Sequence, residues 1–198
     1  MIGRSQPWWR RAGDRLAAWW QRGSGPVRRR SLLARMRPAD VILASPRTRR
    51  LSFTALSYRL LLGSRYVHTM LYLGDGEILH TTAREGVTIA RAPGRIFDRE
   101  RYRILRVAGL VPESRRRVVD SARELLDHGL DHLALVTNIP ARWFGLPHPL
   151  LKAERNRVWC SKLVHQAYRE AGVELLPEGG AGTVSSEDLA ESPLLVEI

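Results

Sequence analysis

The chain has 198 residues, enough for one domain with a small appendage. Its hydrophobic fraction of 44% is ordinary for a globular protein and argues against disorder throughout. The formal net charge of +12 is mostly arginine and points to an anionic partner or a strongly basic surface, and the single cysteine excludes an intramolecular disulfide.

Taken in chain order, "PWWRRAGDRLAAWWQR" reads first as an amphipathic helix. Trp8, Trp9, Ala12, Leu16, Trp19 and Trp20 fall in one arc of roughly 140° at helical spacing, with Arg10, Arg11, Arg15 and Arg22 opposite. An aromatic face beside a basic one suits a bilayer interface. Docking of the same face on the chain's own domain is the alternative. "RGSGPVRRR" follows as a linker, so residues 1–37 read as a basic arm. Leu16 to Trp20 is too short for a signal-peptide core, and no apolar run has the roughly 20 residues of a membrane span. The expectation is a cytoplasmic protein with peripheral contact at the inner membrane face. Nucleic acid is the less favoured anionic partner.

The compact domain is expected over 38–198. "ADVILAS" (39–45) reads as a buried strand and "LSFTALSYRLLLGS" (51–64) as a weak helix or long loop. "HTMLYLGDGEILH" reads as a hairpin, with "GVTIARA" (86–92) and "RYRILRVAG" (101–109) as further strands. "PESRRRVVDSARELLDHG" (112–129) is a helix started by Pro112 and ended by Gly129. Residues 130–156 lack a period, and Trp143, Phe144 and Leu146 there suit an apolar wall or ordinary packing. "CSKLVHQAYREAG" (160–172) is a second helix, and the last segment is a turn with a short strand. The order predicts an α+β fold, helices packed on a small antiparallel sheet.

Two histidines, His68 and His80, flank the Gly-Asp-Gly turn of the hairpin. A three-residue loop with Gly76 left-handed and a bulge puts Met70 opposite His80 and both histidines on one face. A two-residue Asp-Gly loop puts them on opposite faces. Cys160 opens its helix on the apolar face, where the helix dipole and free N–H groups lower a thiol pKa from about 8.5. These roles follow: Cys160 as nucleophile, His68 as base, His80 as orienter. His165 lies about 140° round the helix from Cys160 and is expected to face solvent or a flank. His128 and His132 are spaced i, i+4 but lack the Glu and third ligand of a zinc site, so no metal or other cofactor is read.

The chain resembles the circularly permuted NlpC-type papain-like proteins, a group including the YiiX/YaeF-like hydrolases and the lecithin:retinol acyltransferase-like enzymes. The resemblance runs from about Pro38 to Pro193 and rests on "ADVILAS", "HTMLYLGDGEILHTTAREGV", "GLDHLAL", "VWCSKLVHQAYREAGV" and "TVSSEDLAESPLL". Ala39 stands where the family usually has Gly. The family usually has Pro near Ser186. The resemblance implies a papain-like fold with His68 as base and Cys160 as nucleophile. The His80 spacing is similar to the acyltransferase branch, whereas the cysteine helix is closer to the bacterial hydrolases. The implied activity is a thiol hydrolase or acyltransferase acting on an amide, ester or thioester, a lipid-linked one included. A peptidoglycan or peptide amidase, and a non-catalytic basic module binding membrane or nucleic acid, are the rival readings.

Overall fold

A computed structural model describes residues 34–46, 65–82, 84–91, 100–131, 157–176 and 184–198. The expected N-terminal helix, the 51–64 segment, His132 and the 139–150 segment lie outside these residues. The described chain is a mixed α/β structure, with an antiparallel sheet and helices packed on it.

Six strands form the sheet in the order β4-β3-β2-β1-β5-β8. They are β1 Val41–Pro46, β2 His68–Gly74, β3 Glu77–Thr82, β4 Gly86–Arg91, β5 Glu100–Val107 and β8 Leu195–Glu197. Every neighbouring pair is antiparallel. A short parallel pair, β6 Gly129–Leu130 with β7 Arg157–Val158, forms a second sheet beside β4. The helices are α1 Pro112–Glu124, α2 Cys160–Glu170 and α3 Ser186–Ala190. None of the described helices is long and apolar enough to cross a membrane.

The two-residue period of a strand divides the sheet residues between two apolar layers. Val41, Leu43, Leu71, Leu79 and Leu105 belong to the larger layer, with Val118 and Ala122 of α1 and Leu163, Val164 and Ala167 of α2. Ile42, Met70, Ile78 and Ile104 form the second layer, which Met36 joins. The central strands are therefore buried on both sides, as the unbroken apolar run of β1 anticipates. Met36 is buried and the Arg35 carbonyl accepts from Arg106 Nη2, so packing already begins upstream of Pro38.

Two positions explain local sequence choices. Ala39 has φ 72, the left-handed region that favours glycine. Its carbonyl accepts from the buried Tyr168 hydroxyl of α2, and its N–H donates to the Tyr72 carbonyl at 2.8 Å. At Gly86, φ is +71 and a Cβ would fall 2.3 Å from the His128 carbonyl oxygen, so only glycine fits where β4 meets the β6 segment.

Two expected elements differ. The first helix stops at Glu124, with Asp127 at φ 66, and Gly129 enters β6 instead of capping the helix. The second helix ends at Glu170, and Gly172, left-handed at φ 81, terminates it as expected. The C-terminal segment holds the helix α3 ahead of β8. The Ser185 hydroxyl caps it, accepting from Asp188 N–H while the Asp188 carboxylate accepts from Ser185 N–H.

Candidate active site

The hairpin brings the two histidines together through the shorter of the two turns that the sequence allows. Asp75 and Gly76 form a two-residue turn with φ 50 and 78, the left-handed pair of a tight hairpin. A bulge between Tyr72 and Gly74 then restores the register, so Leu71 faces Leu79 and Tyr72 faces Ile78. Continued inward, that register leaves His68 and His80 on one face. Their rings lie edge to face with centroids 5.6 Å apart, and His68 Nε2 is 3.4 Å from His80 Nδ1. This contact is at the long end of the hydrogen-bond range. For His80 Nδ1 to accept, His68 must carry its proton on Nε2, which leaves His68 Nδ1 as an acceptor.

The cysteine arrives at the edge of β2. The β2–β3 ladder ends at Leu71↔Leu79, whereas β1–β2 continues to Ala44↔His68 and β3–β4 to Thr82↔Gly86. The strands therefore part beyond Leu71. By the alternation of an antiparallel ladder, the Thr69 N–H points into that opening. Beside this edge, Ser186 Oγ accepts from Thr69 Oγ1 at 2.7 Å. Helix α2, which opens on the buried Cys160, packs on β2, the strand that begins at His68.

The segment around residue 184 fixes this end of α2. The Val184 carbonyl accepts from Trp159 Nε1 and from the Ser161 hydroxyl, both at 2.7 Å. Arg65, three residues before His68, donates from its backbone N–H and its guanidinium to Glu187 of α3 at 2.6–2.9 Å. Lys162 lies over the Trp159 ring, 5.1 Å from its centroid. Thr69, Arg65 and Glu187 are not among the residues that the sequence singles out. The Ser185-x-x-Asp188 capping signature was the one available signal for this segment.

The electrostatics reverse one expectation. Burial pushes the Cys160 thiol up from its ordinary 9.0, and the polar groups of Thr69, Ser161 and Ser186 only partly offset this. Burial, with His80 adding to it, pushes His68 down to about 4. His80 is lowered by burial and partly restored by Glu85. Both partners are therefore neutral at pH 7: a thiol beside an imidazole rather than a thiolate–imidazolium pair. Desolvation decides this, because it penalises the charged form of each group.

His165 also differs from expectation. It is only 2% exposed, and neither ring nitrogen has a hydrogen-bond partner, although Glu174 Oε1 is 3.3 Å from Nε2. Helix α2 is not one-sided, because Ser161, Leu163, Val164, His165 and Ala167 are all buried. Burial lowers the His165 pKa, with Glu174 raising it and Arg169 lowering it further.

These three histidines predict the acid limb of stability. Each is neutral in the folded chain at a pH where its unfolded counterpart is protonated. The unfolded state then binds more protons, so stability falls as pH drops from about 6.5 towards 4. His68 alone contributes a loss on the order of 3 kcal/mol by the bottom of that window. The raised thiol acts on the other side, with stability falling as pH climbs past about 9. A thermal-midpoint scan should show its maximum between these limits. A midpoint that rises on acidification through pH 6 would contradict the histidine account.

Among the described residues no group of three His, Cys, Asp or Glu side chains is placed to hold a metal ion. No protein-family model matches the chain, and no curated protein is significantly similar to it in sequence.

Proposed function

We propose that the chain is a thiol-dependent hydrolase or acyltransferase of the permuted papain-like class, acting on an amide, ester or thioester through an acyl group on Cys160. The observation that carries this reading is the single cysteine opening a helix that packs on β2, whose first residue, His68, has Nε2 at 3.4 Å from His80 Nδ1. The chain order, histidine strands ahead of the cysteine helix, supports the permuted arrangement.

The chemistry follows from the neutral pair. His68 Nδ1 takes the thiol proton as Sγ attacks the acyl carbon, and His80 accepts from Nε2–H of the resulting imidazolium. As the negative charge moves from sulfur to the carbonyl oxygen, the N–H groups at the start of α2 are at hand to meet it. The intermediate collapses when His68 returns the proton to the leaving group. Water or another acceptor, deprotonated by His68, then releases the acyl group.

Incubation with an activated aryl ester tests this. The expected result is a burst of about one phenolate per chain and an acyl mass increment on the Cys160 peptide. Cys160→Ser should abolish both. Acylation elsewhere, or an equal burst from Cys160→Ser, would refute the proposal.

A further inference from the structure

The positive excess of the chain is not spread over the domain. The described residues hold nearly equal numbers of basic and acidic side chains, whereas residues 1–33 hold eight arginines against Asp14 alone. The arm that carries this charge, with Trp8, Trp9, Trp19 and Trp20, joins the domain at one corner. Its root is fixed there. The Arg35 carbonyl accepts from Arg106 Nη2 at 2.8 Å, and Met36 is buried in the second apolar layer. Arg106 pairs with Val196 of β8, so the two side chains stand on one face of the sheet. Val196 is nevertheless 46% exposed. Leu194, two residues earlier, is 40% exposed, and its carbonyl accepts from Ala108 N–H. Three residues beyond Ala108, Val111 is 56% exposed at the N-cap of α1. No other large apolar side chain among the described residues is exposed to this degree. Arg35, Arg37 and, on the first two turns of α1, Arg117 are exposed as well. The carboxylates Glu113 and Glu197 at this corner are each paired with an arginine, Arg116 and Arg103.

We infer that the arm and this corner form one docking surface, and that its partner is an anionic phospholipid bilayer. Tryptophan settles at the headgroup level of a bilayer, and arginine meets its anionic lipids. A rim of three aliphatic side chains is too small to hold a membrane by itself. Placed at the root of an arm rich in tryptophan and arginine, it extends the same surface and limits how the domain sits on it. The inference does not depend on Cys160 being a nucleophile, because the corner lies at the other end of the sheet. Ala44 pairs with His68 and with Tyr102, whereas Ala108 lies six residues further along β5, about 20 Å at the rise of a strand. Helix α2 runs between the two ends. Tyr168, near its C-terminus, donates to the Ala39 carbonyl, and Ser161, at its start, donates to the Val184 carbonyl. Docking therefore holds the protein at the membrane by the end remote from the thiol.

Co-sedimentation of the full chain with phosphatidylcholine vesicles, with and without about 30% phosphatidylserine, tests this. The expected result is binding at least about tenfold tighter to the anionic vesicles, weakened by raised salt. Trp8→Ala, Trp9→Ala, Trp19→Ala and Trp20→Ala in combination should reduce it by more than about tenfold. Leu194→Gln with Val196→Thr, which leaves the arm intact, should reduce it about fivefold. If that pair fails to fold, Val111→Ser carries the test, since serine suits a helix N-cap, and a loss of about twofold is expected.

Absence of binding to the anionic vesicles, or equal binding to both kinds, would overturn the inference. Retention of duplex DNA by a chain that leaves vesicles unbound assigns the arm to nucleic acid and overturns it too. Undiminished vesicle binding in the variants at Leu194, Val196 and Val111 has the same meaning, since the arm then acts alone. The aryl-ester burst is measured on the same samples. A full burst without vesicle binding defeats the docking surface and leaves the proposed function standing. Vesicle binding without a burst does the reverse.

Discussion

Asp40→Ala is expected to lower the unfolding free energy by about 3–5 kcal/mol, the usual cost of breaking a buried ion pair. The carboxylate is fully buried. It accepts from Arg106 Nε at 2.8 Å, from Arg106 Nη2 at 2.7 Å and from the Arg37 backbone N–H at 2.7 Å, with Arg115 Nη1 at 4.0 Å. Removing it strands the half-buried Arg106 guanidinium and an N–H donor together. Asp40→Asn keeps an acceptor and loses the charge, so it should cost roughly half as much. Denaturant midpoints at constant slope measure both. A loss under about 1 kcal/mol for Asp40→Ala would show that solvent replaces the carboxylate freely. The position also bears on the site. Asp40 joins β5 and α1 to the entry of β1, and Ala39 beside it receives the Tyr168 hydroxyl of α2. Loosening this corner loosens the helix that presents Cys160.

His68→Ala is expected to slow alkylation and acylation of Cys160 at pH 7 by a factor of at least about 10². The magnitude follows from the thiol. With its pKa raised above 9.0 by burial, fewer than about one chain in a hundred carries a thiolate at neutral pH without a base. His68 is neutral there and able to accept. The His80→Ala effect should be smaller, because that ring orients the base and takes no proton from the thiol. Equal rates in wild type and His68→Ala would remove His68 from the mechanism. An unaffected His80→Ala would make His80 a packing residue.

Much of this site was legible from short-range pattern. The hairpin follows from its alternating pattern and the place of Cys160 at a helix start from the apolar spacing after it, whereas the face shared by His68 and His80 depends on a loop length that the sequence leaves open. The turn itself was not legible. The sequence Leu73-Gly74-Asp75-Gly76 is compatible with two loop lengths, and a bulge at Leu73 lets the shorter loop deliver the register of the longer one. The apolar pattern of α2 likewise marks a buried face without saying what covers the remainder. His165 was therefore assigned outward, although it is enclosed.

The direction of the thiol pKa failed for the same reason. Helix position is local and was readable, whereas desolvation depends on segments brought in from elsewhere. Ser186 shows the limit most clearly: a serine 117 residues from Thr69 has no signature that joins the two. Ala39 is a further case: an alanine in the sequence gives no sign of its left-handed backbone.

The pH–rate profile for iodoacetamide alkylation of Cys160, in wild type and in His68→Ala, tests the central claim most directly. A neutral thiol served by a neutral imidazole predicts a rate that rises as His68 loses its proton near pH 4, stays level through neutrality, and rises again only when the thiol ionises by itself above about 9. In His68→Ala the level region should vanish and only the alkaline limb remain. A wild-type profile with the alkaline limb alone, identical to that of the variant, would contradict the coupling of His68 to Cys160 and with it the proposed chemistry.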